Sequence, residues 1–121
     1  MSWTYSQSTG HMSHNGQLVG IGYSGHDDGK NNPSMQTVPN VGPIPQGQYS
    51  IGAPRDSDKV GPFALPLDPM AGTNTFGRSA FMIHGDSIVH PGTASEGCII
   101  ILRDVRNQIA ASNDPALIVT A

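Results

Sequence analysis

Proline and glycine interrupt this chain so often that long regular elements have little room to form. Fifteen glycines and ten prolines make up about a fifth of the 121 residues, against roughly 12% in average usage. Proline removes a backbone donor and glycine favours turns, so the pattern predicts short strands joined by tight connections. Only 12% of residues are charged and the formal charge is -3, while Ile and Val recur along the chain. That balance fits one folded domain over residues 1–121 rather than a disordered tail.

The same composition excludes several function classes. Six Lys and Arg residues, placed singly, form no basic stripe for a phosphate backbone, which argues against nucleic acid as a partner. The longest apolar run, Cys98 to Leu102, is far shorter than the ~20 residues of a membrane-spanning helix. The first ten residues carry neither a basic start nor an apolar stretch, so no secretory signal is expected. Cys98 is the one cysteine; it forms no internal disulfide and leaves one thiol to be explained.

Read for elements, Gln17 to Ser24 is a strand, with Trp3 to Ser6 as its partner. Gly25 to Asn40 is polar and rich in turn formers, a long surface loop. Gln46-Gly47 makes a turn into a strand over Gln48 to Ile51. Phe63, Leu65 and Leu67 alternate between prolines and suit a short edge strand. Ser79 to His84 reads as a strand, and Cys98 to Leu102 as a buried strand or a helix start. Leu102, Val105 and Ile109 follow helical spacing, and Ala116 to Thr120 is the closing strand. The fold class is therefore mainly β, a single-domain sandwich or barrel with one or two short helices.

Chemistry concentrates where Ile83-His84-Gly85-Asp86 precedes a loop and then Ala94-Ser95-Glu96-Gly97-Cys98-Ile99. A histidine at a strand end and a cysteine in a small-residue turn can form a nucleophile and base pair. Gly97 permits close backbone approach, and main-chain N–H groups of such a turn can face an oxyanion. Taken singly, each residue has a structural reading as well: Cys98 as a small buried hydrophobe, His84 as a satisfied core histidine. His11, His14, His26, Asp27 and Asp28 can be drawn as a metal site, but loop histidines without a second shell are usually solvated, so no metal or other cofactor is expected. His90, in the loop before Cys98, is a second choice for the base.

His84-Gly85 followed by Ser95-Glu96-Gly97-Cys98-Ile99 resembles the active-site motif of the L,D-transpeptidases with the YkuD-type fold. Gly42-Pro43-Ile44-Pro45-Gln46-Gly47-Gln48-Tyr49 looks like that family's strand-leading element. The chain is more closely similar to small type VI secretion effectors with L,D-transpeptidase or L,D-carboxypeptidase activity. Three segments carry that likeness: Trp3 to Gly10; Gly22 to Gly25 with Asn31-Asn32-Pro33; and Gly77-Arg78 ahead of Phe81 to Asp86.

The resemblance implies a peptidoglycan stem tetrapeptide as substrate, Cys98 as nucleophile and His84 as base. It also implies Gly85, through its carbonyl, or Asp86 as the group orienting His84. Gly97 and Cys98 would provide oxyanion N–H groups, and Ser95 would hold the turn or bond the substrate. The family's arginine after the cysteine is replaced here by Ile99 and Ile100, which makes Arg78 the cation for a substrate carboxylate, with Glu96 beside it in the family's histidine position. Delivery without a signal peptide into the periplasm of target bacteria, a cognate immunity protein and secretion-spike partners are implied too. The alternatives are a housekeeping cell-wall L,D-transpeptidase, an inert module binding peptidoglycan or a secretion partner, and a general cysteine peptidase.

Overall fold

The computed structural model describes residues 2–121. It is mainly β with one α-helix, as the punctuation of the sequence predicts. In chain order the elements are β1 (Trp3–Ser6), β2 (His11–His14), β3 (Gln17–Ile21), β4 (Tyr23–Ser24), β5 (Gly47–Ile51), β6 (Arg55–Ser57), β7 (Gly61–Pro69), β8 (Met82–His84), β9 (Ile99–Ile100), α1 (Arg103–Ala111) and β10 (Ala116–Thr120). The strands join in one mixed sheet in the order β3-β2-β1-β10-β5-β7-β8-β9-β4, with β6 added to β7. Pairings β1 with β10 and β8 with β9 are parallel. Among the described residues, no helix is long and apolar enough to cross a membrane.

The two ends of this sheet, β3 and β4, are separated in the chain by Gly22 alone. The sheet must therefore roll until its ends meet, which gives a barrel-like body that stays open at that seam. Gly22 donates its N–H to the Gly10 carbonyl at 2.8 Å. A Cβ at position 22 would run into the Ile100 carbonyl, so the seam closes only around glycine. The rolled sheet encloses Trp3, Tyr5, Tyr49, Leu65, Ile83 and Leu117, and Val105 and Ile109 of α1 pack against the same core. Burying each such side chain contributes roughly 1.5–3 kcal/mol.

Several expectations are corrected by long-range pairing. Gln17 to Ser24 is two strands, not one, because Gly22 turns the chain from one end of the sheet to the other. The partner of β3 is β2, whose His, Met, Ser and His residues include no β-branched side chain to announce a strand. Trp3–Ser6 pairs instead with β2 and β10. The segment around Phe63 to Leu67 is not an edge: β7 has β8 on one side and both β6 and β5 on the other. Proline is tolerated there because β6 pairing ends at Ala64 and β5 pairing starts at Leu67. Pro66 sits at the handover, where its carbonyl accepts from Gly52 at 2.8 Å and no donor is needed.

The strand over Ser79 to His84 is shortened to β8, since Ala80 adopts φ 64°. Both readings of Cys98 to Leu102 are realised in turn: β9 comes first and α1 follows. Leu102 is the exposed cap before α1 rather than part of its buried face. The Gly25–Asn40 segment is a surface loop with two short 3-10 turns, Asp27–Gly29 and Pro33–Met35.

Candidate active site

Parallel pairing of β8 and β9, with Ile83 opposite Ile99 and His84 opposite Ile100, sets Cys98 level with Met82, two positions along from His84. His84 ends β8 and Cys98 immediately precedes β9, so sheet register brings them together across the 13 intervening residues. Both line a cleft of about 550 Å³, together with Gly85, Asp86, Glu96 and Gly97. Six of the eight residues singled out in the sequence thus share one cavity. Ser95 and Arg78 do not line it.

His84 is buried at 3% exposure, and its Nδ1 lies 2.8 Å from the Gly85 carbonyl oxygen. A carbonyl can only accept, so Nδ1 carries the proton and the neutral ring keeps its lone pair on Nε2. Burial pushes the His84 pKa below its ordinary value, more than the Gly85 carbonyl raises it, and the positive Arg106 adds to the depression. Cys98 is half-buried with Sγ 3.7 Å from the Ala80 carbonyl. Burial pushes its thiol pKa up, opposed by the Met82 N–H and by the charges of Lys59 and Arg78. Both shifts favour the neutral forms, a thiol and an imidazole.

The residues around this pair divide by what they touch. Asp86 does not hold the His84 ring. Its carboxylate accepts from the Tyr23 hydroxyl at 2.6 Å, from the Ser87 N–H at 2.8 Å, and from the Gly92 N–H at 3.0 Å. It anchors the loop after β8. Burial would raise the Asp86 pKa, but these donors and Lys30 outweigh it and hold the carboxyl below its ordinary value. Burial and the Asp86 contact push the Tyr23 phenol up to about 12, so it stays a donor.

Ser95, fully buried, is the hub of the turn: its Oγ donates to the Cys98 carbonyl at 2.6 Å and accepts from Gly97 at 3.1 Å and Gly25 at 2.9 Å. The Gly97 N–H is therefore committed to Ser95. Gly97 has φ 130°, and a Cβ there would stand 2.5 Å from Arg78 Nη2. The position a side chain would take there is filled by Arg78 and Phe81.

Arg78 spends its guanidinium on carbonyls within the protein rather than in the cleft. At 8% exposure, its Nη1 donates to the carbonyls of Gln36 and Pro43, and its Nη2 to those of Gly42, at 2.9 Å, and Glu96, at 3.3 Å. It ties the Gly25–Asn40 loop and its exit to the nucleophile turn. Glu96 is exposed on the cleft wall. His90 is exposed in the loop and lies outside the cleft lining. His14 stacks on Trp3 with ring centroids 4.2 Å apart and contacts Asp114 at 2.9 Å. Among the described residues, no group of three or more His, Cys, Asp or Glu is placed to hold a metal. Lys59 and Asn40, also in the cleft lining, were not legible in the sequence because each reaches the site from a loop remote in the chain.

A family model described as the Tlde1 domain matches residues 20–116, a span containing every residue of the cleft. Comparison with curated proteins finds no match. The match extends over most of the chain, from the end of β3 to the start of β10, and the protein therefore belongs to the Tlde1 domain family of type VI secretion L,D-transpeptidase effectors.

Proposed function

We propose that the protein is a cysteine acyl-transfer enzyme acting on peptidoglycan stem tetrapeptides, as an L,D-carboxypeptidase, a D-amino-acid-exchanging L,D-transpeptidase, or both. The observation that supports this reading is that Cys98 and His84 line one cleft, with the His84 tautomer fixed by the Gly85 carbonyl. His84 Nε2 takes the thiol proton as Cys98 Sγ attacks the carbonyl carbon of the third stem residue. The Cys98 N–H, which no turn or loop carbonyl among the described residues accepts, is the main-chain donor available to the developing oxyanion. Collapse breaks the amide bond, His84 returns the proton to the leaving amine, and D-Ala departs from a Cys98 thioester. Water or a D-amino acid then attacks the thioester, His84 accepts its proton, and the thiol is regenerated.

An effector of this family would be delivered by the secretion apparatus into the periplasm of target bacteria and neutralised in the producer by a cognate immunity protein. Trimming or exchange at the fourth position removes the donor stems that crosslinking needs. The test is incubation of the purified protein and its Cys98→Ala variant with disaccharide-tetrapeptides, with and without D-Met, followed by mass spectrometry. The proposal predicts loss of D-Ala or its replacement by D-Met, abolished in the variant. Unchanged fragments with folded wild-type protein would favour a binding module, and cleavage of ordinary L,L peptides would favour a general peptidase.

A further inference from the structure

We propose that the groove on the far side of Gly85 is a carboxylate-binding subsite for the stem peptide, with Arg106 as its buried cation. The inference rests on the peptidoglycan reading above and assigns a second part of the molecule to it. The groove has a volume of about 590 Å³ and shares Val60, Gly85 and Asp86 with the Cys98 cleft, so the two depressions adjoin. Its walls include the exposed apolar side chains of Ile21, Ile88 and Leu102. Arg103 and Arg106 supply its positive charge.

Arg106 is only 6% exposed, yet its guanidinium is half used. Nη1 donates to the carbonyls of Pro62 and Phe63 at 3.0 and 2.9 Å. Nε is buried without a hydrogen-bond partner. Nη2 lies against Gly85, 2.9 Å from where a Cβ would stand. Nε and Nη2 form one edge of the planar fork, the edge that takes a carboxylate through two parallel hydrogen bonds.

No acid within the protein fills that role among the described residues. The groove's own carboxylate, Asp86, is occupied by Tyr23, Ser87 and Gly92. A buried cation lacking a counter-charge is costly, and an incoming carboxylate would relieve that cost. The stem peptide carries free carboxylates at its second residue, on the side chain of a diamino-acid third residue, and at its terminal D-Ala. Gly85 lies between groove and cleft, so a peptide with its scissile carbonyl at Cys98 can reach the groove with a neighbouring carboxylate.

The test uses the full chain carrying Cys98→Ala, with binding of disaccharide-tetrapeptide followed by calorimetry. Three ligands, each amidated at one carboxylate, identify which one enters. The proposal predicts that one amidation weakens binding about 10-fold or more, the scale of a lost charge-assisted pair. Adding Leu102→Asp should weaken the free acid and spare the amide that lost the contact. Aspartate is a favourable helix cap, so that variant keeps its fold while setting a repelling charge in the groove. Arg106→Gln should act in the same direction.

His84 gives a further readout. Neutralising the Arg106 charge should raise its pKa in the ligand complex, followed by NMR, and Arg106 confined to a structural role would leave that titration unmoved. Equal affinity for all three amides, or for the Leu102→Asp protein, would overturn the subsite. Turnover by the wild type on the same fragments keeps the two proposals separate. Carboxylate-dependent binding without turnover retains the subsite and removes the cysteine chemistry, whereas turnover without carboxylate dependence does the reverse.

Discussion

Arg78 and Arg106 are almost equally withdrawn from solvent, at 8% and 6% exposed, and they stand behind the two glycines that frame the site. Arg78 lies against Gly97 and Arg106 against Gly85. Four carbonyls from three separate stretches of chain take up the Arg78 fork. Arg106 satisfies two carbonyls through one nitrogen and leaves an edge unpaired. Burial alone therefore does not say what a buried cation is for. The distribution of its donors separates the two, with a saturated fork serving as an internal clamp and an unpaired edge left free to take a further acceptor.

The strongest way to break this contrast is to remove the saturated cation. Arg78→Ala should destabilise the protein by about 3–5 kcal/mol, because four carbonyls lose their donor together. Urea unfolding measures this, and a loss below about 1 kcal/mol would show that the clamp is not structural. Arg106→Gln should cost less stability, about 1–3 kcal/mol for two carbonyl bonds, and should act mainly on substrate affinity. Ser95→Ala should also cost about 1–3 kcal/mol, since three main-chain partners lose a buried hydroxyl; comparing its unfolding midpoint with that of Arg78→Ala ranks the two fasteners of the nucleophile turn.

Asp86→Asn should leave turnover within about 10-fold of wild type, below the usual range for loss of an acid-base group, because the Gly85 carbonyl orients His84. A drop as large as that of a parallel His84→Ala variant would reassign Asp86 to catalysis. The smallest effect is on pH dependence. His84 must be neutral to act as base, and burial lowers its pKa. The acid limb of kcat/KM should therefore have its midpoint below the ordinary histidine value of about 6.5. The same sign applies to stability: the His84 contribution is present above about pH 6.5 and is lost as pH falls towards the lower folded-state pKa. An acid limb above 6.5 would contradict a base whose pKa is lowered by burial.

What was legible in the sequence follows the range of the interactions involved. Glycine and proline act locally, so the mainly β character and most turns could be read directly. His84 and Cys98 could be singled out because each lies beside glycine at the end of a short apolar run, where local pattern and chemistry coincide. β2 is silent in the sequence because its strand character comes from pairing with β1 and β3 rather than from its own side chains. β7 reads as an edge in the sequence because the handover at Pro66 depends on β5 and β6.

The arginines show the same limit. Arg78 reads in the sequence as a free cation, whereas its partners lie 18 to 42 residues away. Arg106 falls between Val105 and Ile109 on the buried face of α1, and its role depends on contacts from β7. A basic residue on an apolar helix face is the one signal that could have found it.

The central claim is that Cys98 becomes acylated by the stem peptide, and intact-protein mass spectrometry after rapid acid quenching tests it most directly. With disaccharide-tetrapeptide, the wild type should gain the mass of the fragment less D-Ala, and digestion should locate the adduct on the peptide containing Cys98. The Cys98→Ala protein should show no adduct and release no D-Ala. Release of D-Ala at the same rate by the variant would contradict the claim.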